Sequence, residues 1–119
     1  MSDNKEVSRK KLEIKSIHKD HRKRVKNKIV NYGMESFTEI EVLEALLFYS
    51  IPYRDTNVIA HNLLDKFGSL KSVMNADYYE LLKVDGISEN SASLILLFRE
   101  MNMYINTKLF EKNDNYFSD

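Results

Sequence analysis

The chain reads as all-α, a compact bundle of five or six short helices, and three observations predict this. Its 119 residues include only three glycines and one proline, too few turn-formers for a loop-rich β fold. Apolar residues recur at three- and four-residue spacing behind residues suited to capping helices. No segment sustains apolar and polar alternation between hairpin turns. The length suits one domain built on one core.

Taken in order, residues 1–17 mix charges with few apolar side chains and read as a flexible basic arm. A first helix is expected from near His18, with Val25, Ile29 and Tyr32 on one face and Gly33 at its end. Ser36-Phe37-Thr38-Glu39 has capping-box spacing ahead of Ile40, Val42, Leu43, Leu46 and Leu47, the core helix, which Ile51-Pro52 stops. Asp55 or Thr56 caps a third helix carrying Ile59, Leu63 and Phe67 and ending at Gly68. Ser69 caps a short turn through Leu70 and Val73, and Asp77-x-x-Glu80 opens a short helix containing Leu81 and Leu82. A longer helix from about Glu89 carries Ala92, Ile95 and Phe98 towards Met103. The helical domain therefore spans 18–105, and periodicity is lost in a tail or linker at 106–119.

The stretch from Leu81 to Ile95, Leu-Leu-Lys-Val-Asp-Gly-Ile-Ser-Glu-Asn-Ser-Ala-Ser-Leu-Ile, resembles a helix-hairpin-helix, placed at 78–98. Leu81 and Ile95 would join the two helices, Ile87 would plug the hairpin, Ala92 would allow close approach, and Gly86 supplies a backbone conformation other residues resist. Hairpin N–H groups and the N-terminus of the second helix then form an anion site for a phosphate oxygen, which reads no bases. The motif usually carries a second glycine and a following cation. Here those places read Ser88 and Glu89-Asn90-Ser91, and Asp85 and Glu89 would repel a phosphate that only Lys83 attracts nearby. Ser88 is either a phosphate ligand or, as we favour, a plain helix N-cap. A weaker echo pairs Leu47-Phe48 with Leu81-Leu82 and Ala60-x-x-Leu63 with Ala92-x-x-Ile95. It suggests a pseudo-duplicated pair of helix hairpins, with residues 53–57 in the place of the first hairpin.

Net charge is zero, yet residues 1–28 hold eleven Lys/Arg against four Asp/Glu, and residues 29–119 hold seven against fourteen. Such asymmetry fits an arm drawn to phosphates or a solvated tail. The absence of cysteine excludes disulfides and thiolate metal sites. The charged N-terminus is no signal peptide and no run reaches membrane-spanning length, so a cytoplasmic protein without membrane contact is expected.

His21-Arg22-x-Arg24-Val25, Glu41-Val42-Leu43-Glu44-x-Leu46-Leu47-Phe48-Tyr49, Arg54-Asp55-Thr56-Asn57-x-Ile59-Ala60-His61, Phe67-Gly68-Ser69-Leu70 and Val84-Asp85-Gly86-Ile87 follow one another in an order that resembles the N-terminal region of the bacterial RadC family, the UPF0758 type. The resemblance covers about 18–103. It implies a DNA-repair-associated protein in which this helical region precedes a metalloprotease-like JAMM domain. The His-x-His zinc motif of that domain is absent from this sequence, so the chain looks like an N-terminal fragment and the family's metal-dependent activity is not carried over.

No catalytic residues, metal ligands or cofactor are expected. His18-x-x-His21 lacks a third ligand and reads as a solvated polar face, and His61 with Asp65 as a modest surface pair. There is no phosphate loop and no activated nucleophile. Tyr49, Tyr53, Tyr78 and Tyr79 could stack on bases, but positions beside Leu-rich helices make them partly buried core edges in our reading. The expected function is sequence-nonspecific binding of DNA, at ends or branches, through Lys83, Gly86, Ile87, Ser88 and Asn90 at the hairpin and Arg22, Lys23, Arg24, Lys26 and Lys28 of the basic helix. The alternative is a docking module that positions the metalloprotease-like JAMM domain, absent from this sequence, or another protein partner, which the acidic balance after residue 29 favours.

Overall fold

The computed structural model describes the backbone of residues 2–117 and the side chains of residues 5–109 other than Ile14 and Ser16. Six α-helices and no strand occur among the described residues: α1 (Ser2–Tyr32), α2 (Glu39–Phe48), α3 (Thr56–Phe67), α4 (Leu70–Met74), α5 (Tyr78–Leu82) and α6 (Glu89–Phe117). The fold is all-α as expected. It divides into two units, Met1–His61 and Asn62–Asp119, with the boundary inside α3.

In the first unit α1 runs back to Ser2, well before the start expected near His18, so the described residues of the predicted arm are helical. The expectation weighed the lack of a core against order. Lys, Arg, Glu and Leu are nevertheless strong helix formers, and Glu6 precedes Lys10 by the four residues that favour an ion pair along a helix. Gly33 ends α1 as predicted: at φ 73° it takes a conformation that a Cβ would strain, and its N–H bonds to Ile29 O at 2.8 Å. The cap of α2 is Thr38, two residues beyond the expected Ser36. Thr38 Oγ1 accepts from Glu41 N, and Glu41 Oε1 accepts from Thr38 N, each at 3.3 Å, a reciprocal capping box. The inward residues Leu43, Leu47, Phe48, Ile51, Ile59 and Ala60 are buried, and α1 packs against α2. Asp55 Oδ1 accepts from Asn57 N and so caps α3.

The second unit holds the rest of α3 and α4 to α6. Ser69 caps α4 and Asp77 caps α5, as the sequence indicated. The Glu80 carboxylate does not reach back to the cap; it is held instead by Lys66 and Lys83 at 3.2 and 2.7 Å. Leu63, Val73, Leu81, Ala92 and Ile95 are buried, and both α4 and α5 pack on α6. Arg99 of α6 ties the α4–α5 turn down by donating to Ala76 O at 2.8 Å and Met74 O at 3.3 Å. Helix α6 continues through the residues expected to form a tail; with α1 it exceeds the short helices predicted. Of the predicted terminal segments, Met1, Ser118 and Asp119 lie outside the described residues.

Candidate nucleic-acid interface

Two places in the chain offer binding chemistry, one in each unit. The first is an open groove of about 650 Å³ lined by Lys15, Lys19, Arg22, Lys23, Lys26, Asn27, Pro52 and Tyr53. Its lysines occur at steps of four, four and three residues, which a 3.6-residue turn brings to one side of α1. Among the described residues no acid lines this groove and none pairs with these lysines, which leaves their charge for a ligand.

Arg22 behaves differently from its basic neighbours. Its Nη1 donates to Pro52 O at 2.8 Å and its Nη2 to Arg54 O at 2.9 Å, and its guanidinium lies 5.0 Å from the Phe48 ring centroid. Partial desolvation lowers its pKa from the ordinary arginine value. Arg22 therefore shapes the groove, since the nitrogens that would meet a phosphate are occupied by the loop. Lys23 and Lys26 line the groove, and Lys26 Nζ also sits 4.8 Å from the Tyr49 ring. Arg24 lies on a neighbouring cleft with His18, His21, Glu44, Asp55 and Asn57. Lys28 stands over the Phe37 ring at 5.3 Å.

In that cleft His21 meets buried Glu44 at 3.4 Å and packs edge-on against Phe48, while Asn57 Nδ2 donates to the other Glu44 oxygen. Glu44 is thus held by two partners, which offsets the cost of its burial. No cluster of three or more acidic, His or Cys side chains suited to a metal ion occurs among the described residues.

Sequence reasoning missed Lys15, Lys19 and Asn27, and it misplaced the tyrosines. Tyr49, Tyr53 and Tyr79 are 69%, 71% and 71% exposed, not core edges. The inward positions of α2 are filled by Leu43, Leu47 and Phe48, and Tyr49, as the C-cap, falls past that face. Tyr53 stands on the 51–55 loop with Lys15 Nζ 5.0 Å from its ring centroid. Only Tyr78 is half-buried, edge-on to Tyr79.

The second place is the hairpin between α5 and α6. Leu81, Ala92 and Ile95 are fully buried and Ile87 is nearly so, the packing a helix-hairpin-helix requires. Gly86 has φ 93°, and Ile87 N donates to Val84 O at 3.1 Å to close the turn. Ser88 is the N-cap of α6: its Oγ accepts from Ser91 N at 3.4 Å and its carbonyl from Ala92 N at 3.0 Å. The N–H groups of Gly86, Ser88, Glu89 and Asn90 have no acceptor among the described residues, so the hairpin does present backbone donors. Its charge works against them. Lys83 Nζ is bonded to Glu80 Oε1 at 2.7 Å, which raises the lysine pKa, and Asp85 and Glu89 stand exposed on either side of Ile87 and Ser88. The loop that was to mirror this hairpin in the first unit has no positive-φ residue. It is braced by Arg22 instead, so the two turns differ in construction.

The chain is similar to UPF0758 proteins of three bacteria. It is 41% identical over 98 residues to one from Fusobacterium nucleatum, a match covering 77% of this chain and 42% of that protein. It is 38% identical over 74 residues to one from Ruegeria pomeroyi, covering 62% of the chain and 33% of the relative. A third, from Clostridium tetani, is 30% identical over 93 residues, covering 78% and 40%. The matches thus span between a third and about two fifths of the length of these curated relatives. No family model matches the chain, and no solved structure does.

Proposed function

The chain belongs to the UPF0758 family, and from that premise we propose that it binds DNA without sequence preference, with the lysine face of α1 as the principal contact. One observation carries this reading: Lys15, Lys19, Lys23 and Lys26 line a single groove with no acidic side chain among its described residues. Charges so placed release counterions from a phosphate backbone and fix position without reading bases. The hairpin N–H groups of Gly86, Ser88 and Asn90 are a secondary contact, because Asp85 and Glu89 oppose the phosphate they would hold.

Duplex binding measured across a salt series tests the assignment. Four neutralised phosphates give a log–log slope of about −3.6. A Lys19→Glu/Lys23→Glu chain should lose most of its affinity, and Gly86→Glu should lose little. The reverse ranking would move the contact to the hairpin, and an intact chain that binds no duplex at low salt would end the reading.

A second reading, a docking module for a protein partner, is favoured by α6. Leu97, Phe98, Met101, Tyr104, Ile105 and Leu109 are 45–66% exposed along it, more apolar surface than a helix in water needs. Met101→Glu/Ile105→Glu separates the readings: it should leave the salt-dependent DNA affinity in place, whereas a docking module loses its partner.

A further inference from the structure

We infer that the α1 groove takes an unpaired, single-stranded stretch of nucleic acid, with Tyr53 as the platform on which a base stacks; this rests on the reading that the groove binds a phosphate backbone. The position of Tyr53 is the reason. Its ring is 71% exposed and lines the groove among Lys15, Lys19, Lys23 and Lys26. The backbone beneath it is held on both sides: Arg22 donates to the carbonyls of Pro52 and Arg54, the residues flanking Tyr53, at 2.8 and 2.9 Å. Ile51, at the start of the loop, is buried, and Pro52 restricts its own φ. An exposed aromatic on an ordered backbone has already lost much of the freedom that stacking would remove, so less affinity is spent on immobilising it.

Charge alone would serve a duplex, whose base faces are covered by their neighbours. A solvated ring on a braced loop beside a row of cations instead matches what an unpaired strand offers, a phosphate backbone to track and base faces to stack. Tyr49 repeats the arrangement nearby in sequence. It is 69% exposed, with Lys26 Nζ over its ring at 4.8 Å as Lys15 stands over Tyr53. Each lysine can leave its ring for a phosphate as a base takes its place.

The test uses the full chain and fluorescence anisotropy with labelled oligothymidylate, oligouridylate and a duplex of the same length. The unsubstituted chain should prefer single strands. In Tyr53→Ala the ratio of single-strand to duplex affinity should fall by about tenfold, the loss of one base stack, while Tyr53→Phe keeps it. Helical circular dichroism shows that each variant is folded. A preference for either the deoxy or the ribo strand supports the inference and identifies the sugar. A ratio unmoved by Tyr53→Ala, with Lys19→Glu/Lys23→Glu still losing every probe, overturns stacking and leaves backbone binding in place. No binding of any probe by the intact chain overturns both.

Discussion

Arg22 shows how far a residue's role departs from its type. In the sequence it is one more cation in a basic segment; in the fold its fork-shaped guanidinium spans two carbonyls of a loop thirty residues on. Arg22→Lys should not replace it, because a single ammonium lacks that planar fork. We expect this substitution to cost about 1–2 kcal/mol in urea unfolding, with faster amide exchange through residues 51–55. Glu80 makes a different prediction. Its carboxyl is held below the usual carboxylate range by hydrogen bonds from Lys83 and then Lys66, and the same bond holds Lys83 above the usual lysine value. The Glu80 contribution is present above the unfolded carboxylate pKa and is lost as pH falls through the lowered value. The Lys83 contribution is present below the unfolded lysine pKa and is lost as pH rises through the raised value. Thermal melts should therefore drop at both extremes, modestly because the groups are exposed. Glu80→Gln should flatten both limbs.

At the scale of elements, the sequence was most readable where one side chain decides one turn. Gly33, Ser69, Asp77 and Gly86 act where local chemistry placed them. The cap of α2 was misread by two residues because Ser36 and Thr38 both carry a hydroxyl three residues ahead of another candidate partner, and only the backbone chooses Thr38. Thr38→Ala should cost about 1 kcal/mol, read by thermal unfolding. Gly86→Ala must bear a left-handed backbone and should cost about 1–3 kcal/mol. Leu81→Ala, which empties a fully buried site against α6, should cost about 2–5 kcal/mol. The start of α1 and the end of α6 were not legible, since periodicity marks a buried face and the described side chains there, such as Arg9 to Lys11 and Thr107 to Leu109, are exposed.

For the molecule as a whole, the charge asymmetry seen along the chain is also an asymmetry between units. Met1–His61 holds twelve Lys/Arg and nine Asp/Glu, and Asn62–Asp119 holds six and nine. The helix-hairpin-helix drew the expected contact towards it. The groove was hidden because its membership depends on two things a linear pattern does not display: α1 extending back through Lys15, and the 51–55 loop folding back onto α1. The spacing of Lys15, Lys19, Lys23 and Lys26 was visible throughout. It becomes a face only once that segment is helical.

The Arg22 brace has a consequence for any attempt to map this groove by substitution. An alanine scan of α1 scored by lost affinity alone would place Arg22 beside Lys19 and Lys23, although it acts on the shape of the loop. The two classes separate in the kinetics of capture. If the groove binds as proposed, removing a lysine should slow the salt-sensitive encounter, whereas removing Arg22 should leave the encounter rate nearly intact and hasten escape, because the loop no longer holds still.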